Sequence, residues 1–153
     1  MINIFKSFQG LINFFAIKNY KKKIVFYSES RNYRNYFIEL ILNLRKNKNL
    51  EIIYITSDLN DLNIIDQDLK PIFIGNNFLR TIFFTILSCD IMIMTLTDLG
   101  NYHLKKSKKC KKYIYIFHSL VSTHLTYRKE SFKNYDIIFS NGEYQKNELI
   151  KAE

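Results

Sequence analysis

Small polar side chains follow each apolar segment of this chain that has strand character, and one of them is a histidine. In chain order these groups are Ser28 to Ser30, Ser57 and Asp58, Thr95 to Asp98, His118 and Ser119, and Ser140 to Gly142. His118 comes directly after five apolar residues, YIYIF. A neutral imidazole in that position can accept a proton near pH 7. The pattern makes His118 a candidate general base, and the alternative is a structural histidine that closes a strand.

Several familiar catalytic and binding motifs are absent from the sequence. It contains no glycine-rich dinucleotide fingerprint, no P-loop and no nucleophile elbow, so no cofactor is expected. His103, His118 and His124 do not have the spacing of metal ligands, so no metal site is expected either. Cys89 and Cys110 form no C-x-x-C pair, which predicts two reduced thiols.

Strand-like and helix-like segments alternate along the chain from residue 23. The predicted strands are 24–28, 51–56, 71–75, 91–95, 112–117 and 136–140. The predicted helices are 35–46, 77–87 and 143–153, the last with Asn141 as its N-cap. This alternation predicts an α/β, Rossmann-like fold, with a mostly parallel sheet flanked by helices. Ligands of such sheets bind at the carboxyl ends of the strands, where the polar groups lie.

The first 22 residues are predicted to form a separate unit, an amphipathic helix and a basic linker, ahead of a domain at 23–153. Its apolar residues at helical spacing are Ile4, Phe5, Phe8, Leu11, Ile12 and Phe15. Lys18 and Lys21 to Lys23 follow them. Such a helix either lies in a membrane interface or docks on its own domain, and the pattern fits both.

The charge balance predicts an anionic partner. The chain has 153 residues, with 23 Lys and Arg against 14 Asp and Glu, a formal net charge of +9. The partner could be nucleic acid, a phosphorylated substrate or an acidic membrane surface. The densest basic run, KKSKKCKK at 105–112, lacks the interleaved aromatic residues of single-strand binders. Nucleic acid is therefore the least expected partner.

Three motifs between Tyr113 and Glu148 carry a resemblance to a known family. They are Phe117-His118-Ser119 after a strand, the F-x-x-Y-D segment at 132–136, and the G-x-Y-x-x-x-E segment at 142–148. The upstream segment from Cys89 to Thr95 fits the same pattern of an aspartate, an apolar strand and a threonine. Together they resemble the CDP-glycerol glycerophosphotransferase family, the enzymes similar to teichoic acid polymerases.

The resemblance implies the N-terminal, acceptor-side half of a glycosyltransferase-B-type enzyme. Such enzymes move glycerol phosphate, or a similar alditol phosphate, from a CDP-activated donor to a lipid-linked acceptor. They work on the inner face of the cell membrane, as peripheral cytoplasmic proteins. The donor-binding half would lie beyond residue 153, so the chain is expected to be truncated or completed by another chain, and inactive alone.

The resemblance also assigns roles to individual residues. His118 takes the position of the histidine that is thought to deprotonate the acceptor hydroxyl, although Ser119 stands where many members have glycine. By their own chemistry, Ser119, Ser122 and Thr123 are candidates to orient the acceptor, and His124 and Arg128 to meet its phosphates. The alternative for each is a polar residue of a surface loop. Asn141 and Gly142 complete the predicted substrate-binding set. The alternatives are a nucleotide-sugar glycosyltransferase of capsule or lipopolysaccharide synthesis, and a non-catalytic, membrane-associated binding domain.

Overall fold

A computed structural model describes residues 2–48, 50–63, 69–101, 103–119 and 121–152. The strands are β1 (Ile24–Ser28), β2 (Ile52–Thr56), β3 (Ile72–Phe73), β4 (Cys89–Met94), β5 (Cys110–Ile116) and β6 (Ile137–Phe139). The helices are α1 (Ile2–Ala16), α2 (Asn35–Lys48), α3 (Phe78–Ile86), α4 (Thr123–Thr126) and α5 (Glu143–Ala152), with short 3-10 helices at Asn19–Lys21, Arg31–Arg34 and Leu59–Asn63. Every predicted element is present, and most boundaries shift by one to three residues.

The six strands form one sheet in the order β3-β2-β1-β4-β5-β6, and every neighbouring pair is parallel. This confirms the predicted α/β, Rossmann-like class. All five residues of β1 are buried, because helices cover both faces of the strand. Val25 and Tyr27 point into the core beneath α1 and α3, whereas Ile24 and Phe26 point into the core beneath α2.

The N-terminal helix docks on the domain, which is one of the two alternatives left open by its pattern. Leu11 and Phe14 are buried in the core, and Phe14 had not stood out in the apolar pattern. Gly10 allows the close approach of α1 to β3, because a β-carbon there would lie 1.8 Å from the carbonyl oxygen of Phe73. At the start of the helix, the Asn77 side-chain amide donates a hydrogen bond to Ser7 Oγ at 3.2 Å.

The opposite face of the sheet is only partly covered. Phe37 and Ile41 of α2 pack on Phe26 and on the other central strands. Near the β6 edge, Ile137 and Phe139 stand in register with the α2-facing residues of β5, yet they are 42% and 46% exposed. No helix in the described part of the chain covers this corner of the sheet.

Two details of the fold differ from expectation or add to it. Helix α5 begins at Glu143, so its N-cap is Gly142 and the predicted N-cap Asn141 is wrong. The Asn141 backbone N–H donates instead to Gln145 Oε1 at 2.8 Å. The two cysteines are free, and they face each other across β4 and β5 with their sulfur atoms 3.4 Å apart.

None of the helices that the structure describes is both long enough and apolar enough to cross a membrane.

Candidate active site at the carboxyl edge of the sheet

The strand order places a crevice at one point of the sheet edge. The chain runs outward from β1 to β2 and β3, then returns to place β4 on the other side of β1 and continues outward to β6. The connections after β1 and β4 therefore leave the sheet in opposite directions. In sheets of this order ligands bind at that reversal, beyond the carboxyl ends of the strands.

His118 lies at this edge, one residue beyond the last backbone pairing of β5 with β6. The ring of Tyr33 lies against the imidazole with 4.7 Å between centroids, and the ring of Tyr36 lies at 6.1 Å. Tyr33 lies in the 3-10 helix after β1 and Tyr36 in the first turn of α2, so the segment after β1 and the end of β5 build the site together. The Nδ1 atom of His118 is buried and has no hydrogen-bond partner among the described residues.

The environment of His118 favours the neutral imidazole. Burial lowers the pKa of His118 below its usual value of 6.5, and the negative charge of Glu29 partly opposes that shift. The imidazole is therefore a proton acceptor at neutral pH. Because Nδ1 is enclosed by protein, Nε2 is the nitrogen that a substrate hydroxyl could approach.

Glu29 is held by a chain of hydrogen bonds that joins α3 to three strand ends. Arg80 donates to Glu29 Oε1 at 2.9 Å and to the Tyr27 hydroxyl at 3.4 Å. Ser57 donates its proton to the carbonyl oxygen of Gly75 at 2.7 Å, so the Tyr27 hydroxyl is the donor in its 2.6 Å contact with Ser57. The carboxylate is thus fixed in position between α3 and the end of β1.

A cleft of about 580 Å³ opens beside Glu29, over the ends of β1, β2 and β3. Its lining residues are Asn3, Ile4, Glu29, Ser57, Asp58, Leu59, Asn60, Phe73, Gly75, Asn76 and Asn77. Amide and carboxylate groups predominate among the polar ones, which suits a ligand rich in hydroxyl groups. His118 is not in this lining, so Glu29 is the residue that links the cleft to the histidine.

Asp58 holds the rim of the cleft in place. Its two carboxylate oxygens accept hydrogen bonds from the backbone N–H groups of Arg31 and Asn60, at 3.0 and 2.9 Å. The Arg31 N–H, with the help of the Asn60 N–H, holds the pKa of Asp58 below its usual value despite partial burial. The Asp58 side chain therefore links the loop after β1 to the loop after β2.

Three of the predicted substrate-binding residues converge on one carboxylate. Glu148 of α5 accepts hydrogen bonds from the Thr123 backbone N–H at 2.5 Å and from the Ser122 hydroxyl at 3.3 Å. His124 Nδ1 lies 3.5 Å from the same carboxylate. The Thr123 N–H is the main cause of a lowered pKa at Glu148. Ser122, Thr123 and His124 are therefore anchored to α5.

Arg128 is paired with Asp98, which follows β4. The guanidinium lies 3.0 Å from Asp98 Oδ1, and Asp98 has a left-handed backbone with φ of 60°. The Ser131 hydroxyl and the Ser131 carbonyl also contact Asp98, which holds this conformation. Arg128 also lines a smaller cleft of about 290 Å³, together with Lys129 and Lys133.

The remaining predicted residues lie at the ends of the last two strands. Ser119 is half-buried beside His118, and Asn141 and Gly142 are exposed after β6. The Phe117 N–H donates to the Phe139 carbonyl at 3.3 Å, which brings the ends of β5 and β6 together. Gly142 has φ of 129°, in a region that other residues rarely adopt.

Sequence reasoning missed the two tyrosines that pack around His118 and the arginine that holds Glu29. Tyr33, Tyr36 and Arg80 contact the site from elements that are distant in the sequence, so no local spacing identified them. Their one sequence signal is position, since Tyr33 and Tyr36 follow β1 directly at the start of a helix. Among the described residues, no group of three His, Cys, Asp or Glu side chains is arranged to hold a metal ion.

Searches against protein-family models, curated proteins and solved structures found no significant match to this chain.

Proposed function

We propose that this chain is the acceptor-side half of a transferase that moves glycerol phosphate, or a similar alditol phosphate, from a CDP-activated donor. The observation that carries the proposal is the position of His118, a partly buried imidazole that lies against Tyr33 at the carboxyl edge of the sheet. Residues 113–148 resemble the CDP-glycerol glycerophosphotransferase family, and this resemblance supports the choice of donor and acceptor. The proposal assigns the acceptor side of the reaction to this chain.

The proposed reaction needs one proton acceptor on this side of the active site. The acceptor hydroxyl loses its proton to Nε2 of His118 as its oxygen bonds to the phosphorus that carries the alditol. The bond from that phosphorus to CMP breaks, and CMP leaves with the bonding electrons. Glu29 lies close enough to stabilise the imidazolium that forms, since its charge favours the protonated histidine.

The proposed setting is the inner face of the cell membrane, with the protein bound peripherally. The acceptor is lipid-linked, so its hydroxyl has to reach the carboxyl edge from a bilayer surface. An anionic surface suits a chain with a net charge of +9. The proposal includes no nucleic-acid partner.

The test is a transfer assay on the protein expressed from its own coding frame, with a lipid-linked glycerol phosphate acceptor. Labelled CDP-glycerol is expected to yield labelled lipid, and His118→Ala is expected to lower the rate about 100-fold or more. His103→Ala, at an exposed histidine, is the matched control and should keep the rate. Unchanged transfer by His118→Ala would remove the base assignment. Transfer from a UDP-sugar alone would identify a glycosyltransferase instead.

A second candidate is a non-catalytic binding domain at the membrane, and the surface of α1 favours it. Ile4, Phe5, Phe8 and Ile12 stay exposed although the helix is docked. A domain of this kind would bind vesicles and show no transfer from either donor. The two assays together separate this candidate from the transferase.

A further inference from the structure

Two helices on one face of the sheet leave rows of large apolar side chains uncovered. The rows are Ile4, Phe5, Phe8 and Ile12 in α1, and Phe78, Ile82 and Ile86 in α3. Phe5 is 71% exposed and Phe78 is 62% exposed. These seven residues are called the α1/α3 apolar face below.

The two rows border the same seam. Phe83 of α3 contacts the rings of Phe14 and Phe15 in α1, with centroid distances of 5.0 and 6.4 Å. In α1, the exposed residues are spaced about one helical turn apart and lead to Phe15. In α3, Ile82 and Ile86 are neighbours of Phe83 on the helix surface. The face is therefore one surface shared by two helices, and contiguous exposed apolar surfaces mark interaction sites.

Three lysines that have no carboxylate partner among the described residues lie at one end of this face. Both helices run antiparallel to the strands, so both end at the amino edge of the sheet. Lys18 is exposed just beyond α1, and Ser107 Oγ donates to the Leu87 carbonyl at the end of α3, which places Lys108 and Lys109 there. No described carboxylate lies within ion-pair distance of these three lysines.

We infer that the α1/α3 apolar face docks on an anionic lipid bilayer, with α1 and α3 in the interfacial layer. An exposed apolar surface bordered by lysines is the arrangement of proteins that lie on a membrane without crossing it. The charge selects a bilayer over a second copy of the chain, because two chains of net charge +9 repel each other. The inference deepens the proposed function and rests on it for the lipid-linked acceptor.

The docked orientation brings the bilayer to the site. Asn3 and Ile4, at the start of α1, line the cleft that also contains Glu29 and Asp58. With α1 in the interfacial layer, this cleft opens at the level of the lipid headgroups. A lipid-linked acceptor then reaches the carboxyl edge while its lipid stays in the bilayer.

The first test is cosedimentation of the 153-residue chain with vesicles of phosphatidylcholine, with and without phosphatidylglycerol. The wild type should bind the anionic vesicles. Phe5→Ser with Phe8→Ser in α1, and Phe78→Ser with Ile82→Ser in α3, should each weaken binding by roughly tenfold or more. Leu125→Ser with Ile150→Ser, at residues 78% and 66% exposed on other elements, is the matched control and should bind as the wild type does.

The second test addresses charge. Lys108→Glu with Lys109→Glu should weaken binding to anionic vesicles, and added salt should reduce the difference from the wild type. Lys46→Glu with Lys151→Glu makes the same change of charge on α2 and α5 and should bind as the wild type does. Circular dichroism of each variant shows whether it is folded.

Three results would overturn the inference. The wild type could fail to bind anionic vesicles, or the control pairs could lose as much binding as the test pairs. The chain could also form a dimer that the α1 and α3 variants disrupt, which would assign the face to a second copy. His118→Ala should leave vesicle binding intact, so a failure of transfer and a failure of docking are read separately.

Discussion

The two flanks of the sheet are built differently. β1 has a strand on each side and helices over both faces, and all five of its residues are buried. β6 is an edge strand, and Ile137 and Phe139 remain exposed on its α2-facing side. The site residues predicted from sequence all follow β5 or β6. The side that carries the residues predicted from sequence is thus the less covered one, while Tyr33 and Glu29 contribute to the same site from the well-packed side.

The largest expected effect is a difference in the free energy of unfolding between two variants, one with a substitution in the core and one with a substitution in β6. Phe83→Ala removes a fully buried ring of α3 and should lower the free energy of unfolding by about 3–5 kcal/mol. Phe139→Ala removes a ring that is 46% exposed and should cost about 1 kcal/mol, because only part of its apolar area is buried. Urea unfolding followed by circular dichroism measures both. Equal losses would show that the β6 corner is as well packed as the centre.

A glycine in the well-packed flank gives the next effect. In an unrestricted helix Gly→Ala stabilises by about 1 kcal/mol, but a β-carbon on Gly10 would strike the Phe73 carbonyl. Gly10→Ala should therefore destabilise the protein by about 1–3 kcal/mol. Gln9→Ala, on the exposed side of the same helix, is the control for urea unfolding. A gain of stability in Gly10→Ala would mean that α1 is not held against β3.

The carboxylate of Glu148 should contribute a smaller, acid-sensitive part of the stability of the β6 flank. The Thr123 N–H holds the pKa of Glu148 below its usual value of 4.5. The stabilisation is therefore present above that value and is lost as the pH falls through the folded-state pKa. Glu148→Gln should melt below the wild type at pH 7, and the gap should narrow in acid. Glu143→Gln, exposed at the start of α5, should show no such gap.

The smallest expected effect is at His118. Its buried Nδ1 has no hydrogen-bond partner among the described residues, so His118→Phe should keep stability or raise it by about 1 kcal/mol. Because burial lowers the pKa of His118, the wild type should lose stability as the pH falls below 6.5, and the Phe variant should not share that loss. Melting temperatures across pH 5 to 8 test this. A strongly destabilised variant would indicate a structural histidine.

The fold was predictable because buried parallel strands have a simple pattern. β1 was predicted with its observed bounds, since apolar β-branched and aromatic residues run through all five positions. β5 begins at Cys110, two residues before the predicted start at Lys112. Lys111 belongs to the strand although its side chain remains in solvent, so its charge hid the start of the strand in the sequence pattern.

Helix α1 shows what periodicity leaves undetermined. The pattern grouped Phe5 and Phe8 with Leu11, but only Leu11 is buried. Phe14, outside the main pattern, is fully buried against Phe83. Periodicity finds an apolar row, whereas the neighbouring elements decide which part of the row is covered.

The candidate site was predictable only in its strand-end residues. The position of His118 follows from the length of β5, which the sequence pattern shows. Its contact with Tyr33 depends on how the β1–α2 turn packs over the sheet edge, which is a long-range property. Glu148 was noticed as part of a motif, but it accepts hydrogen bonds from Ser122 and Thr123, which lie 26 and 25 positions away in the sequence.

The two facing cysteines provide a way to measure local opening of the sheet by thiol labelling. Cys89 and Cys110 lie between the two flanks, are almost fully buried, and point at each other across β4 and β5. The hydrogen bond to Cys110 and burial raise the pKa of Cys89, so its thiol is protonated and unreactive in the closed protein. A thiol reagent reaches the two sulfur atoms when the amino ends of β4 and β5 open. The labelling rate therefore measures how often this end of the two strands opens.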